Sequence, residues 1–208
     1  MLAASSSKNS IHPIDSKREN SRRAECAILT FTSMGHTLIL TGRPGIGKTT
    51  IIKALIAQIT DRAGGFYTEE ILGPGGRKGF RLVTLEGRSY VIAHMEVRSR
   101  SKVGRYGVRV DVIDQVGAGA IRSAVDTHPI VIIDEIGKME LFSSPFQSAV
   151  LKAISSPKIV IATAMQDDHP WVAAVKTLPN VTVWEVNKVN RGKMVEKVVQ
   201  WLAEQSDR

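Results

Sequence analysis

Short runs of branched apolar residues alternate with amphipathic stretches along most of this 208-residue chain. Four of these runs are predicted strands, and the run 130–133 shows no polar–apolar alternation, as is typical of a strand that is covered on both faces. The four runs are residues 36–41, 130–133, 159–163 and 181–184. Apolar residues recur at helical spacing over 51–59, 112–125 and 194–202. This order predicts an α/β fold, a doubly wound and mostly parallel sheet with helices on both faces.

Two regions depart from the alternation of strands and helices. Residues 1–34 are polar and poor in apolar residues, which predicts a disordered tail before a single domain of residues 35–208. Within that domain, Phe80–Thr84 and Tyr90–Ala93 are short β-forming runs separated by Glu86-Gly87. They predict an antiparallel hairpin inside an insertion of about residues 72–110.

A glycine-rich loop stands between the first predicted strand and the first predicted helix. It is Gly42-Arg43-Pro44-Gly45-Ile46-Gly47-Lys48-Thr49-Thr50, which fits the phosphate-binding pattern G-x-x-x-x-G-K-[ST]. Such a loop wraps backbone N–H groups around phosphate oxygens at the positive end of a helix. Lys48 would reach the terminal phosphates of a nucleotide, and the Thr49 hydroxyl would bind Mg²⁺.

A second motif ends the run Pro129-Ile130-Val131-Ile132-Ile133 with two carboxylates, Asp134 and Glu135. Ligands of open α/β sheets bind at the carboxyl ends of the strands. Asp134 is therefore predicted to support the Mg²⁺ ion. Glu135 is predicted to be the general base that activates an attacking water, which favours hydrolysis over phosphoryl transfer. The pair indicates a P-loop NTPase of the RecA-like type, in which the glutamate follows the metal-side aspartate.

Composition excludes several other classes of protein. The content of hydrophobic residues is 43% and that of charged residues 23%, as in ordinary globular domains. No apolar stretch has the length of a membrane span. Cys26 is the single cysteine, so the sequence predicts no disulfide framework and a reducing, cytoplasmic location.

The net charge of +8 is concentrated between the two motifs. Nine basic residues and two acids lie between Arg77 and Arg109, which gives this segment a net charge of +7. A basic segment beside a triphosphate could clamp phosphates or supply an arginine finger. It could also bind nucleic acid, or simply form a solvated basic surface. The pattern of charges leaves all three interpretations open.

A broader set of motifs resembles a known family, the small nucleoside-triphosphatases of thermophiles and their vertebrate relative, the cancer-related nucleoside triphosphatase. The resemblance covers the predicted domain and not the tail. Besides the P-loop, the matching segments are 65–70, 79–81, 103–108, 133–143 and Asn190-Arg191. The chain differs from the family pattern at Gly192, where relatives usually carry an acid, and over 165–170.

The resemblance implies Mg²⁺-dependent hydrolysis of several nucleoside triphosphates, ATP and GTP among them, to the diphosphate and phosphate. It also implies roles for three basic residues. Arg105 or Lys138 would stabilise charge on the transferring phosphoryl group. Arg191, after the last predicted strand, would stack its guanidinium on the nucleobase.

Two other classes of function remain open at the level of sequence. A nucleotide or nucleoside kinase shares the P-loop and often has an arginine-rich lid, which residues 98–109 could form. A P-loop switch that binds nucleic acid would use the same basic segment and would lose affinity steeply as salt rises. Glu135 and the segment after it count against the kinase.

Overall fold

The computed structural model describes residues 35–166 and 168–206, without the side chains of Thr60 and Ser206. The predicted tail of residues 1–34 lies outside the described residues. Within the described part, nine strands form one sheet. They are β1 (Thr37–Thr41), β2 (Ala63–Gly73), β3 (Gly76–Thr84), β4 (Ser89–His94), β5 (Lys102–Val103), β6 (Tyr106–Val108), β7 (Ile130–Ile136), β8 (Ile159–Ala164) and β9 (Val181–Glu185).

Five helices of seven or more residues connect or follow these strands in the described part of the chain. They are α1 (Lys48–Ile59), α2 (Ala118–Thr127), α3 (Ser144–Ile154), α4 (Pro170–Lys176) and α5 (Met194–Ser206). A helical turn at Val110–Val112 and a π-helical turn at Ile113–Gly117 lead into α2. The single helix predicted over 112–125 is therefore interrupted by a wider turn. No helix within residues 35–166 and 168–206 has the length and apolar character needed to cross a membrane.

The strand order is β5-β6-β4-β3-β2-β7-β8-β1-β9. The five strands from β2 to β9 in this order pair in parallel, while β3, β4, β5 and β6 add antiparallel pairs. Apolar residues of α1 and α5 pack on one face of the sheet, and those of α2, α3 and α4 pack on the other. The predicted doubly wound P-loop sheet with its inserted hairpin is confirmed.

Local details differ from the sequence predictions. Strand β2 continues to Gly73 because β3 pairs with its second half, which makes the inserted hairpin part of the main sheet. Helix α3 is capped by Ser143, whose Oγ atom accepts a hydrogen bond from the N–H of Phe146 at 3.0 Å. Ser144 and Pro145 then occupy the first helical positions, where proline is tolerated. The short strands β5 and β6 were not predicted.

Candidate active site

The P-loop connects β1 to α1 and has the open shape that a bound phosphate requires. Gly45 and Gly47 adopt positive φ angles of 74° and 110°. A Cβ atom built at either glycine would meet no other atom within 4 Å, so the backbone faces free space there. Residues with side chains rarely adopt such angles, which explains the need for glycine. The loop therefore forms a cradle of backbone N–H groups beside the N-terminus of α1.

Lys48 is almost fully buried at the start of α1 and points back into this cradle. Its Nζ atom donates a hydrogen bond to the carbonyl oxygen of Gly42 at 3.0 Å. The same Nζ atom lies 3.6 Å from Oε1 of Glu135. The P-loop lysine and the second carboxylate of β7 are thus brought together across the cradle.

Asp134 is completely buried near the end of β7. Its Oδ1 atom accepts a hydrogen bond from Thr163 Oγ1 on β8 at 2.5 Å, and its Oδ2 atom accepts one from the N–H of Thr68 at 3.4 Å. Burial raises the pKa of Asp134, while the hydrogen bonds from Thr163 and Thr49 act in the opposite direction. The strand order explains this contact, because β8 lies between β1 and β7 and brings Thr163 beside the aspartate.

Glu135 follows Asp134 through a cis peptide bond and is only partly buried. Burial raises the pKa of its carboxyl, the nearby Lys48 ammonium lowers it, and Asp134 raises it again. A carboxylate with a raised pKa that still faces an open cavity is suited to accept a proton from water.

The donor set beside the cradle fits a magnesium ion. The Thr49 hydroxyl and the Asp134 carboxylate lie within hydrogen-bond contact of each other. Hydroxyl and carboxylate oxygens are hard donors, and Mg²⁺ in nucleotide sites takes few protein ligands and completes its shell with water and phosphate oxygens. Thr49 and Asp134 are the residues that would hold the ion.

A cavity of about 860 Å³ extends from the P-loop along the edge of the sheet. Nine of the predicted site residues line it: Gly42, Pro44, Gly45, Gly47, Lys48, Thr49, Thr50, Glu135 and Lys138. Five others do not: Arg43, Ile46, Asp134, Arg105 and Arg191. Arg43 is exposed, Ile46 packs against the apolar cluster of α1 and α5, and Asp134 is buried behind the cavity wall.

The two remaining arginines lie in different places. The Nη2 atom of Arg105 donates to the carbonyl oxygen of Arg77 at 2.7 Å, and its Nε atom donates to the Tyr106 hydroxyl at 3.2 Å. Arg191 is exposed in the loop after β9, whose shape is fixed by the side chains of Asn187 and Asn190. Of the two cations predicted to stabilise the phosphoryl group, only Lys138 lines the cavity.

Several residues of the cavity were missed at the level of sequence. Glu140 is 5% exposed, and its carboxyl accepts hydrogen bonds from its own N–H and that of Gly137. A Cβ atom at Gly137 would lie 3.0 Å from Glu140 Oε2 and 3.8 Å from Glu135 Cδ, so the two carboxyls flank this glycine. Arg77, Phe80 and Tyr106 also line the cavity. In the sequence, Glu140 lies within the segment 133–143 that resembles the family, but no role was predicted for it.

Comparisons with known proteins agree with this geometry. A family model described as NTPase matches residues 37–199. A nucleoside-triphosphatase THEP1 of Thermotoga sp. (strain RQ2) is 38% identical over 165 residues, which cover 79% of this chain and 94% of the relative. The mouse cancer-related nucleoside-triphosphatase homolog is 33% identical over 183 residues, covering 80% of this chain and 96% of the relative.

Two solved structures share the fold. The crystal structure of THEP1 from Aquifex aeolicus has a TM-score of 0.73 and 35% identity, covering 80% of this chain and 98% of that chain. The solution structure of a human cancer-related nucleoside triphosphatase has a TM-score of 0.70 and 32% identity, covering 84% and 100%. The similarity therefore extends over nearly the whole length of the relatives.

Proposed function

This chain belongs to the nucleoside-triphosphatase family, and we propose that it hydrolyses ATP, GTP and other nucleoside triphosphates in a Mg²⁺-dependent reaction at the P-loop cavity. The activity of the family is hydrolysis of nucleoside triphosphates. The observation that carries the assignment of residues is the approach of Lys48 Nζ to Glu135 Oε1, 3.6 Å apart on the wall of one cavity. The cavity therefore combines a cation that can bind the terminal phosphates with a carboxylate that can take a proton from water.

The proton and the phosphate have separate groups to receive them. Lys48 and the N–H groups around Gly45 and Gly47 would hold the terminal phosphates, which are the part of the substrate that carries the negative charge. Glu135 would orient a water molecule and take its proton as the oxygen attacks the terminal phosphorus. The bond from that phosphorus to the bridging oxygen breaks, and the nucleoside diphosphate leaves.

Magnesium would be held by Thr49 and Asp134. The ion supplies charge neutralisation on the phosphate oxygens when it is bound. Thr163 supports this role because its hydroxyl bond to Asp134 keeps the carboxylate in one orientation inside a dry environment.

Two basic residues have proposed roles of different kinds. Lys138 lines the cavity and is our candidate for the cation that stabilises charge on the transferring phosphoryl group. Arg105 remains a prediction for that role, since its guanidinium is held by Tyr106 and the backbone of Arg77. Arg191 would contact the base from the loop after β9.

Loose selectivity for the base follows from the kind of contacts available. The P-loop recognises phosphates, which all nucleoside triphosphates share.

The single cysteine at position 26 supports a reducing, cytoplasmic location as a further proposal. If nucleic acid binds this chain, the basic segment between Arg77 and Arg109 would be the contact surface, and the affinity would fall steeply as salt rises.

The test is phosphate release from ATP, GTP, CTP and UTP with Mg²⁺, for the wild type, Glu135→Gln and a control. Glu135→Gln should keep nucleotide binding and lose about 10²–10⁴-fold in turnover, as expected when a general base is removed. Glu86→Gln is the matched control, because Glu86 is exposed in the turn between β3 and β4. Full turnover in Glu135→Gln would refute the role of Glu135.

A label on the terminal phosphate separates hydrolysis from the kinase alternative. Labelled inorganic phosphate in the presence of nucleoside monophosphates supports the hydrolase. Transfer of the label to the monophosphate, without release of labelled inorganic phosphate, would instead favour a kinase.

A further inference from the structure

The end of β7 and the turn that follows it supply one wall of the cavity. Five residues of this stretch line the cavity: Glu135, Gly137, Lys138, Met139 and Glu140. Ile136 instead packs in the apolar core and is 1% exposed. The proposed base and the proposed cation of the reaction, Glu135 and Lys138, are separated in the chain only by Ile136 and Gly137. The conformation of this turn therefore determines how the two side chains are placed relative to each other.

The backbone of the turn is held at Gly137. The N–H of Gly137 donates a hydrogen bond to the carboxyl of Glu140, and its carbonyl oxygen accepts one from the N–H of Leu141 at 3.1 Å. One residue earlier, the carbonyl oxygen of Ile136 accepts a hydrogen bond from the N–H of Met165 at 3.2 Å, which ties the end of β7 to the end of β8. Both polar groups of the Gly137 backbone are therefore used to close the turn on itself.

The Glu140 side chain is folded back into this turn. Its carboxyl also accepts a hydrogen bond from its own N–H, so that two backbone donors restrain it. A Cβ atom built at Gly137 would lie 3.0 Å from Glu140 Oε2 and 3.7 Å from Glu135 Cγ. The Glu140 carboxyl thus packs against the short piece of backbone that connects Glu135 to Lys138.

The protonation of Glu140 narrows what its carboxyl can do. Burial raises its pKa to about 8, and the negative charges of Glu135 and Asp134 act in the same direction. At neutral pH the carboxyl is therefore mainly protonated, which makes it a poor second base for water. Its carbonyl oxygen still accepts hydrogen bonds from N–H groups. The contact with the Gly137 backbone is accordingly the function that the carboxyl retains at neutral pH.

We propose that Glu140 is a positioning residue for hydrolysis, and that the hydrogen bond it accepts from the N–H of Gly137 holds Glu135 and Lys138 in place on the cavity wall. Glu140 itself takes no proton from water and binds no phosphate. The P-loop, between β1 and α1, belongs to a different part of the chain, so loss of this bond should not impair nucleotide binding. The inference rests on the proposed function, because it concerns the rate of phosphate release.

The central comparison is between Glu140→Gln and Glu140→Met. Both side chains are as long as glutamate, but only glutamine keeps an oxygen that can accept the N–H of Gly137. Glu140→Met should lower kcat for phosphate release from ATP about tenfold or more, since a misplacement of about 1 Å can cost about a hundredfold in rate. Glu140→Gln should keep a kcat close to that of the wild type. The KM for ATP and the affinity for the non-hydrolysable analogue AMP-PNP should change in neither variant.

Two further variants separate positioning from the chemistry of a carboxyl. Glu140→Asp keeps the carboxyl but is one methylene too short to reach Gly137, so it should lose activity as Glu140→Met does. It makes the same comparison if Glu140→Met fails to fold. Lys138→Met should lower kcat in the otherwise wild-type chain and have a smaller effect when combined with Glu140→Met, because Lys138 is already misplaced there.

Gln147→Leu is the matched control. The Nε2 atom of Gln147 donates to the carbonyl oxygen of Leu141 at 2.9 Å, in the same turn, but Gln147 does not line the cavity. This variant should release phosphate as the wild type does. Circular dichroism and urea unfolding would show that each variant is folded. Hydrogen exchange at the Gly137 amide, followed by NMR, should be faster in Glu140→Met than in the wild type, which tests the contact without any turnover.

Four outcomes would overturn the proposal. They are a wild-type kcat in Glu140→Met, an equal loss of kcat in Glu140→Gln and Glu140→Met, a wild-type kcat in Glu140→Asp, and a loss in Gln147→Leu as large as that in Glu140→Met. Failure of the proposed function is distinguishable, because the wild type would then release no phosphate while the Gly137 amide still reported the contact. That result would refute hydrolysis and, with it, a role for Glu140 in hydrolysis.

Discussion

The ammonium of Lys48 and the carboxylate of Glu135 face each other at 3.6 Å, one from the start of α1 and the other from the end of β7. This separation is longer than a hydrogen bond, and Lys48 also donates to Gly42. A terminal phosphate that enters between them would meet the cation on one side and the base on the other. We therefore expect the reaction to take place in the space between these two side chains.

Replacing Lys48 by methionine should weaken nucleotide binding. The side chain keeps its length and loses the charge-assisted hydrogen bond, which contributes about 1.5–3 kcal/mol, or roughly a ten- to hundredfold change in dissociation constant. Titration with fluorescent AMP-PNP measures the effect. Lys152→Met on the exposed side of α3 is the control and should bind as the wild type does. Equal affinity of Lys48→Met and the wild type would contradict the assignment.

Replacing Thr163 by valine should destabilise the fold. Asp134 would lose a hydrogen bond inside the protein, where an unsatisfied polar group costs about 1–3 kcal/mol. Thr37→Val is a close control, because Thr37 is equally buried on the neighbouring strand β1 and its Oγ1 finds no partner among the described residues. Urea unfolding should show a loss for Thr163→Val and none for Thr37→Val. The hypothesis fails if the two variants are equally stable.

Glu140 should make the stability of the protein depend on pH. Burial raises the pKa of its carboxyl from 4.5 to about 8, so the folded protein keeps a proton that the unfolded chain releases. The free energy of unfolding therefore falls as pH rises from about 4.5 to about 8 and then levels off. Glu140→Gln has no proton to release and should lose this part of the dependence.

The measurement for Glu140 is the urea midpoint of wild type and variant between pH 5 and pH 8.5, a range chosen to span roughly the two pKa values. Stability of Glu140→Gln relative to the wild type should increase across this range. Glu86→Gln, at an exposed turn, should follow the wild type. Parallel curves for wild type and Glu140→Gln would show that Glu140 titrates normally.

Removal of divalent cations should stop turnover. Chelation with EDTA should abolish phosphate release, and added Mg²⁺ should restore it, because the phosphates need a counter-charge. Thr49→Val should raise the Mg²⁺ concentration for half-maximal activity by about tenfold or more, the scale seen when a group that supports a metal is lost. Thr49→Ser keeps the hydroxyl and is the control. Activity that persists in EDTA would refute the magnesium requirement.

The residues at the phosphate end of the cavity could be singled out in the sequence because each of the two motifs is local. The P-loop and the carboxylates of β7 lie within single loops and strand ends, so their spacing along the chain determines their geometry. Ser143 shows the limit of local patterns, since Ser143 and Ser144 are adjacent and both are suitable caps. Only the three-dimensional position of Phe146 decides between them.

The far end of the cavity could not be predicted in the same way. Arg77 and Tyr106 are almost thirty residues apart in the chain and meet because β3 and β6 are both paired with β4. The short strands β5 and β6 have too few residues for a recognisable alternation. Arg105, which was predicted to act on phosphate, instead hydrogen-bonds within this cluster.

Strand β8 lies between β1, which leads into the P-loop, and β7, which carries Asp134 and Glu135, and so fixes the distance between them. Neighbouring strands are about 4.8 Å apart, so the ends of β1 and β7 are separated by about 10 Å. That distance is set by backbone hydrogen bonds along β8 and not by any side chain at the site. Substitution of side chains around the cavity would therefore leave unchanged the spacing between the strand that carries the phosphate-binding loop and the strand that carries Glu135.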